Sequence, residues 1–235
     1  MVVAVTRATQ TFLLSITGAV LIRIAVGDAY LNYVNTWMRW PLVACGVLLL
    51  ALALGDLLSV KGEQDDAELE TAHVPRAAWL VFVPSLVIFL IAPPALGAHF
   101  AERAQSTVVP EQPLDAPVVA PLPATDPAPV VLDELILRAA YDDGVTLRDR
   151  RVELTGFVSR DKSGRWYVTQ FGINCCAADA TVTRVLASGV EAPPDDQWVK
   201  VVATHVEGTG TGGRTLPEVV VEDLELIDAP RNQYE

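Results

Sequence analysis

Residues 41–60, PLVACGVLLLALALGDLLSV, hold a single charge, Asp56, close to one end. A run of about 20 mainly apolar residues matches the ~30 Å hydrocarbon core of a bilayer. A second run, residues 77–97, AAWLVFVPSLVIFLIAPPALG, is uncharged throughout, with Trp79 near one boundary. Its Pro84 is tolerable in a membrane helix because neighbouring helices can satisfy the freed carbonyl. A third candidate precedes both: residues 11–31 are apolar but interrupted by Arg23 and Asp28, and Tyr30, Tyr33, Trp37 and Trp40 crowd the connection that follows. An arginine there reaches the interface along its aliphatic stem, and an aromatic cluster suits an interfacial connection. The segment lacks the basic leader of a cleavable signal peptide and runs directly into further apolar stretches. The sequence therefore predicts three transmembrane helices within residues 1–98.

An odd number of spans puts the two termini on opposite sides of the plasma membrane. Arg7, Lys61 and Arg76 fall on one side and Arg39 and Arg103 on the other, which by the positive-inside rule predicts a cytoplasmic N-terminus and an extracytoplasmic C-terminal part. The connection KGEQDDAELETAHVPR reads as a solvated loop; His73 lies among its carboxylates without a spacing that selects a metal geometry. Residues 99–130 are proline-rich and aperiodic, the composition of a semi-rigid spacer that holds a module away from the membrane.

From residue 131 the composition is that of a soluble domain. Leu132, Leu135, Ile136 and Ala139 recur at helical spacing and are stopped by Asp142, Asp143 and Gly144. Five stretches of alternating or β-branched character follow, RVELTGFVSRD, RWYVTQFGIN, ATVTRVLA, QWVKVVATHVEG and PEVVVEDLELID, separated by turn signals. Gly156, in the middle of the first, suits the bend by which one strand serves both halves of a small barrel. The expectation for residues 131–235 is a mainly-β, OB-like five-stranded barrel with one short helix. Nucleic acid is an unsuitable ligand for it: the segment holds 11 Lys and Arg against 18 Asp and Glu, an acidic balance that repels phosphate.

The chemistry-bearing residues sit in GINCCAADA, residues 172–180. Adjacent residues of a regular strand point to opposite faces, so Cys175 and Cys176 share one ion only if the chain turns or bulges there. Asp179 follows three residues later, and two sulfurs with a carboxylate form a partial shell for zinc; the same side chain is equally suited to cap the turn by accepting backbone N–H bonds. His205 is the only histidine of the module and hence the candidate fourth ligand. Two other readings stand beside this one: free cysteines often simply pack, and neighbouring thiols can form a strained, labile disulfide. Nucleophilic catalysis is not expected, since His205 is the sole candidate base and no oxyanion-hole motif is present. Cys45 sits mid-span beside Gly46 and reads as a small packing residue.

GFV, RWYVTQFGINCCAADA and the terminal PRNQYE, preceded by the apolar spans, resemble the YcgQ-type family of membrane permease subunits. Its actinobacterial members have a short membrane part and a C-terminal domain with a Cys-Cys-x-Ala-Asp-Ala motif, matched here by Cys175, Cys176, Ala178, Asp179 and Ala180. The resemblance implies a larger YraQ-type permease subunit as the pore-forming partner and adds weight to zinc at the cysteine pair; His205 belongs to no motif of that family. The resulting expectation is an accessory subunit of a membrane transport complex, not an enzyme. The alternative is a non-transport envelope protein whose outer domain binds a protein partner, with structural or redox-active cysteines.

Overall fold

A computed structural model describes residues 3–4, 7–59, 73–74, 95–103, 120–213 and 215–234. The chain divides into two compact units, Met1–Pro94 and Ala95–Glu235.

In the first unit, helix α1 (Arg7–Val26) and helix α2 (Arg39–Ser59) form an antiparallel hairpin, linked through 3-10 turns at Ala29–Asn32 and Thr36–Met38. The two-residue strands β1 (Val3–Ala4) and β2 (His73–Val74) pair antiparallel. The helices meet through Gly18 and Gly46: a Cβ on Gly46 would lie 2.6 Å from Ile22 Cγ1 and 2.9 Å from the Gly18 carbonyl oxygen. Small residues permit this backbone approach in apolar helix pairs. Across one end of the hairpin the Thr11 hydroxyl donates to Asp56 Oδ2 at 3.1 Å. Gly46→Leu is expected to cost about 1–3 kcal/mol of hairpin stability by overpacking, read as an earlier midpoint when the full chain is unfolded from mild micelles with increasing sodium dodecyl sulfate.

Among the described residues one helix is long and apolar enough to cross a membrane: Thr36–Leu58, 23 residues, mean hydropathy 2.3 and only 11% buried. Its outer surface exposes Val47, Leu48, Leu54, Leu57 and Leu58, and Cys45 is exposed with them rather than packed between the helices. The three-span expectation is thus met by one helix. The first apolar stretch gives a shorter apolar segment, Thr11–Val26, because α1 stops before Gly27 and Asp28, whose φ of 60° is left-handed. The apolar run at residues 77–97 lies outside the described residues apart from its last three.

The second unit is largely β. After helix α3 (Ala98–Arg103) come β3 (Ala128–Pro129), helix α4 (Leu132–Tyr141), β4 (Arg151–Arg160), β5 (Trp166–Gly172), β6 (Thr181–Ser188), β7 (Trp198–His205) and β8 (Glu218–Ile227). They form one mixed six-stranded sheet in the order β3-β4-β5-β6-β8-β7, which the additional β4–β7 pairing closes on itself. The five stretches read from the sequence become β4–β8. β4 pairs with β7 along residues 151–157 and with β5 along residues 157–160; Gly156 sits at the changeover, where a Cβ would come within 2.7 Å of the Thr169 carbonyl oxygen. β6 and β8 run parallel over three residue pairs, while β7 and β8 pair antiparallel along most of their length.

Alternation sorts the side chains. Leu154, Val158, Val168, Val185, Val199 and Val201 fill the interior, and α4 contributes Leu132, Leu135, Ile136 and Ala139 to the same core. On the other face of these strands Phe157, Phe171, Val182, Trp198 and Ile173 make a second cluster with Ala98 and Ala101 of α3 and with Tyr234. α3 is fastened there by Asp196 Oδ1, which accepts from the Ala98 N–H at 2.5 Å, and by the Tyr234 hydroxyl, which lies 3.1 Å from the Leu96 nitrogen and accepts from it. Residues on both sides of the proline-rich stretch therefore belong to the same compact unit.

Candidate metal centre

β5 ends at Gly172, and Thr181 opens β6 opposite it. Between them the chain leaves extended conformation: residues 174 and 175 bend, and residues 177–179 make a single 3-10 turn, Ala177–Asp179, entered from an extended Cys176 (φ −156°, ψ 170°). Ile173 and Ala180, on either side of the turn, both pack in the second cluster, which fixes the ends of the segment on the barrel.

The backbone break that shared coordination requires is present. Cys175 Sγ and Cys176 Sγ lie 3.6 Å apart, and the ligand atoms of Cys175, Cys176 and Asp179 all fall within 4.8 Å of one another. Both thiols are half-buried and Asp179 is exposed.

Asp179 organises the turn. Its Oδ1 accepts from the Asn174 N–H at 3.2 Å and the Cys176 N–H at 3.3 Å, and its Oδ2 from the Cys175 N–H at 2.8 Å. Three convergent donors are what a carboxylate needs to hold a turn. An ionised carboxylate offers about four lone-pair positions, so capping leaves room for a further contact. Cys175, followed by its backbone N–H, holds the Asp179 carboxyl below the ordinary carboxylate range. Conversely, the hydrogen bond with Asp179, then that with Cys176, pushes the Cys175 thiol up to about 12. The metal-free segment thus keeps Cys175 protonated, and a metal that takes it as thiolate must displace that proton.

His205 is not brought to this group. It pairs with Val219, which neighbours Ala187 on β6, whereas the cysteine turn adjoins Thr181 at the other end of β6. Six positions of a strand span roughly 20 Å. The His205 Nε2 instead lies 3.1 Å from the Thr209 carbonyl oxygen, and burial pushes the imidazolium pKa down. Cys175, Cys176 and Asp179 are the one such group among the described residues.

The donor set fits a metal ion. At a Zn–S bond of ~2.3 Å, two ligands of a tetrahedral zinc stand about 3.8 Å apart, close to the 3.6 Å between the two sulfurs. Two thiolates and a carboxylate suit zinc better than magnesium or calcium, which prefer all-oxygen shells. The three groups can hold such an ion and leave one tetrahedral position for a donor from elsewhere.

Residues 136–235 match the DUF1980 C-terminal domain. That domain spans most of α4, all of β4–β8 and the cysteine turn. No curated protein and no solved structure matches the chain. The sequence leaves Asp179 equally a ligand or a cap of the turn, and the structure shows the cap, made by three N–H groups; the contribution of α3, which precedes the matched residues, and of Tyr234 to the cluster behind the turn has no signal in the sequence.

Proposed function

We propose that this chain is an accessory subunit of a membrane permease complex, and that its C-terminal barrel is OB-like, lies outside the cytoplasmic membrane and binds a transition metal, zinc, through Cys175, Cys176 and Asp179. The observation that carries the metal reading is the convergence of two sulfurs and a carboxylate within 4.8 Å on a turn that joins two strands. The strand order β4-β5-β6-β8-β7, with parallel β6 and β8 and a bent first strand, supports the OB-like assignment. The apolar helix Thr36–Leu58 supports membrane association.

The partner follows from the resemblance to YcgQ-type subunits: a larger YraQ-type permease would form the pore. An open coordination position is typical of sites that exchange a ligand, whereas purely structural zinc is enclosed by four protein ligands. A water molecule or a donor from the permease would complete the shell.

Elemental analysis of the full chain, purified from membranes in mild detergent, is expected to give near-stoichiometric zinc in the wild type and little in Cys175→Ser or Cys176→Ser. A metal-free wild type with an intact circular-dichroism spectrum would sink the metal reading. Co-purification of a larger polytopic protein with the tagged chain tests the subunit role; its repeated absence from crosslinked native membranes would remove it.

A further inference from the structure

The ring of strands is not paired all the way round. β8 meets β6 only through Glu218, Val219 and Val220. Beyond them Val221 is still flanked by Gly189, where a Cβ would lie 2.9 Å from the Val221 carbonyl oxygen, while residues 222–227 run along β7 on one side and beside no strand on the other among the described residues. An unpaired length of strand presents a row of backbone donors and acceptors to any extended chain of suitable sequence.

Side chains along this edge are unusually placed. Leu224 and Leu226 stand opposite Val201 and Val199, both fully buried and facing the barrel interior. Leu224 is only partly buried, and Leu226 is 58% exposed. The inner face of the sheet is thus only partly covered where β8 outruns β6, and most open at Leu226. On the opposite face Asp223 and Glu225 are exposed, with Glu222 at the irregularity between Val202 and Ala203. From Glu218 to Asp228, one residue past the strand, the chain carries five carboxylates and no Lys or Arg. Lys200, across from Glu225, is engaged by Glu153 at 3.3 Å.

We propose that this edge of β8 is a docking site for an extended segment of a partner protein in which apolar residues alternate with Lys or Arg. Added as a strand, such a segment bonds the outward backbone groups, displacing Asp223 Oδ1 from the Leu224 N–H that it now accepts from at 3.0 Å, lays its apolar residues over Leu224 and Leu226 and sets its cations against Asp223 and Glu225. Like charge opposes the same edge of a second copy. The inference is independent of the metal reading, since the edge and the cysteine turn are separate features of the sheet.

The test uses the full chain in non-ionic detergent and two labelled ten-residue peptides, one alternating valine with lysine and one alternating valine with glutamate. The lysine peptide is expected to bind, to weaken with added salt and to slow amide hydrogen exchange in residues 222–227. The paired change Asp223→Lys with Glu225→Lys should lower its affinity at least about tenfold and transfer preference to the glutamate peptide. Leu226→Glu should weaken the lysine peptide despite the added negative charge, which separates strand addition from simple ion attraction. Absent binding, binding that survives charge reversal, tighter binding by Leu226→Glu, or protection outside residues 222–227 would each overturn the proposal. So would concentration-dependent dimerisation that protects the same edge without peptide, because the occupant would then be a second copy.

Discussion

In metal-free protein, Asp179→Asn is expected to speed alkylation of Cys175 by more than about tenfold near pH 8. The thiolate is the reacting species, and the wild-type thiol is pushed up to about 12, chiefly by its contact with the Asp179 carboxylate. Below that value the thiolate fraction falls tenfold for each unit of pH, so wild-type Cys175 should label slowly until strongly alkaline pH. Asparagine removes the negative charge that disfavours the thiolate, and the labelling profile should move toward lower pH. Its side-chain oxygen still accepts a hydrogen bond, but its amide nitrogen does not, so the three N–H contacts to Asn174, Cys175 and Cys176 cannot all persist. Iodoacetamide labelling in the presence of a chelator, read by fragment-ion mass spectrometry that separates Cys175 from Cys176, measures the effect. Equal rates in both proteins across the pH range would show that the carboxylate does not govern the thiol.

A second large effect is expected at the cluster behind the turn. Phe171→Ala should destabilise the barrel by about 3–5 kcal/mol. The ring is 1% exposed, stacks on Phe157 with centroids 5.5 Å apart and meets Phe100 of α3 edge-on at 5.7 Å. The Phe171 backbone also forms a parallel bridge with Tyr234. Truncation leaves a cavity bordered by a strand, a helix and the C-terminal segment, three elements that cannot collapse onto it together. Urea unfolding followed by tryptophan fluorescence gives the stability change. Limited trypsin digestion should at the same time show faster cleavage after Arg103. A loss below about 1 kcal/mol would mean that α3 and the terminal segment are held chiefly by the Asp196 and Tyr234 hydrogen bonds.

The strands of the second unit were legible because β-branched and aromatic residues alternate between turn signals, and Gly156 marked the bend of β4 before any pairing was known. The order of the strands was not legible: nothing in ATVTRVLA or PEVVVEDLELID announces that β6 and β8 run side by side in the same direction. The misplacement of His205 has the same origin. Residue chemistry made it the natural fourth ligand, but distance within a sheet depends on register, and register put it at the far end of β6 from the cysteines. Cys175, Cys176 and Asp179 could be grouped in advance because all three come from one short turn. At α3 the difficulty was length: six residues carry too little periodicity to be told from the start of a linker, and Phe100 acquires its partner only when Phe171 arrives from another strand. In α1 the apolar pattern continues to Leu31, but the left-handed backbone at Asp28 ends the helix sooner.

The fastening of α3 also changes what the proline-rich stretch does for the chain. A tether between two bodies sets how far apart they can move, so its length and stiffness are under selection as a ruler. Here both flanks of the stretch are bonded into one body, Ala98 through Asp196 and Val130 through Glu153. Its length then enters folding as closure entropy, which grows by only about 0.6 kcal/mol for each doubling.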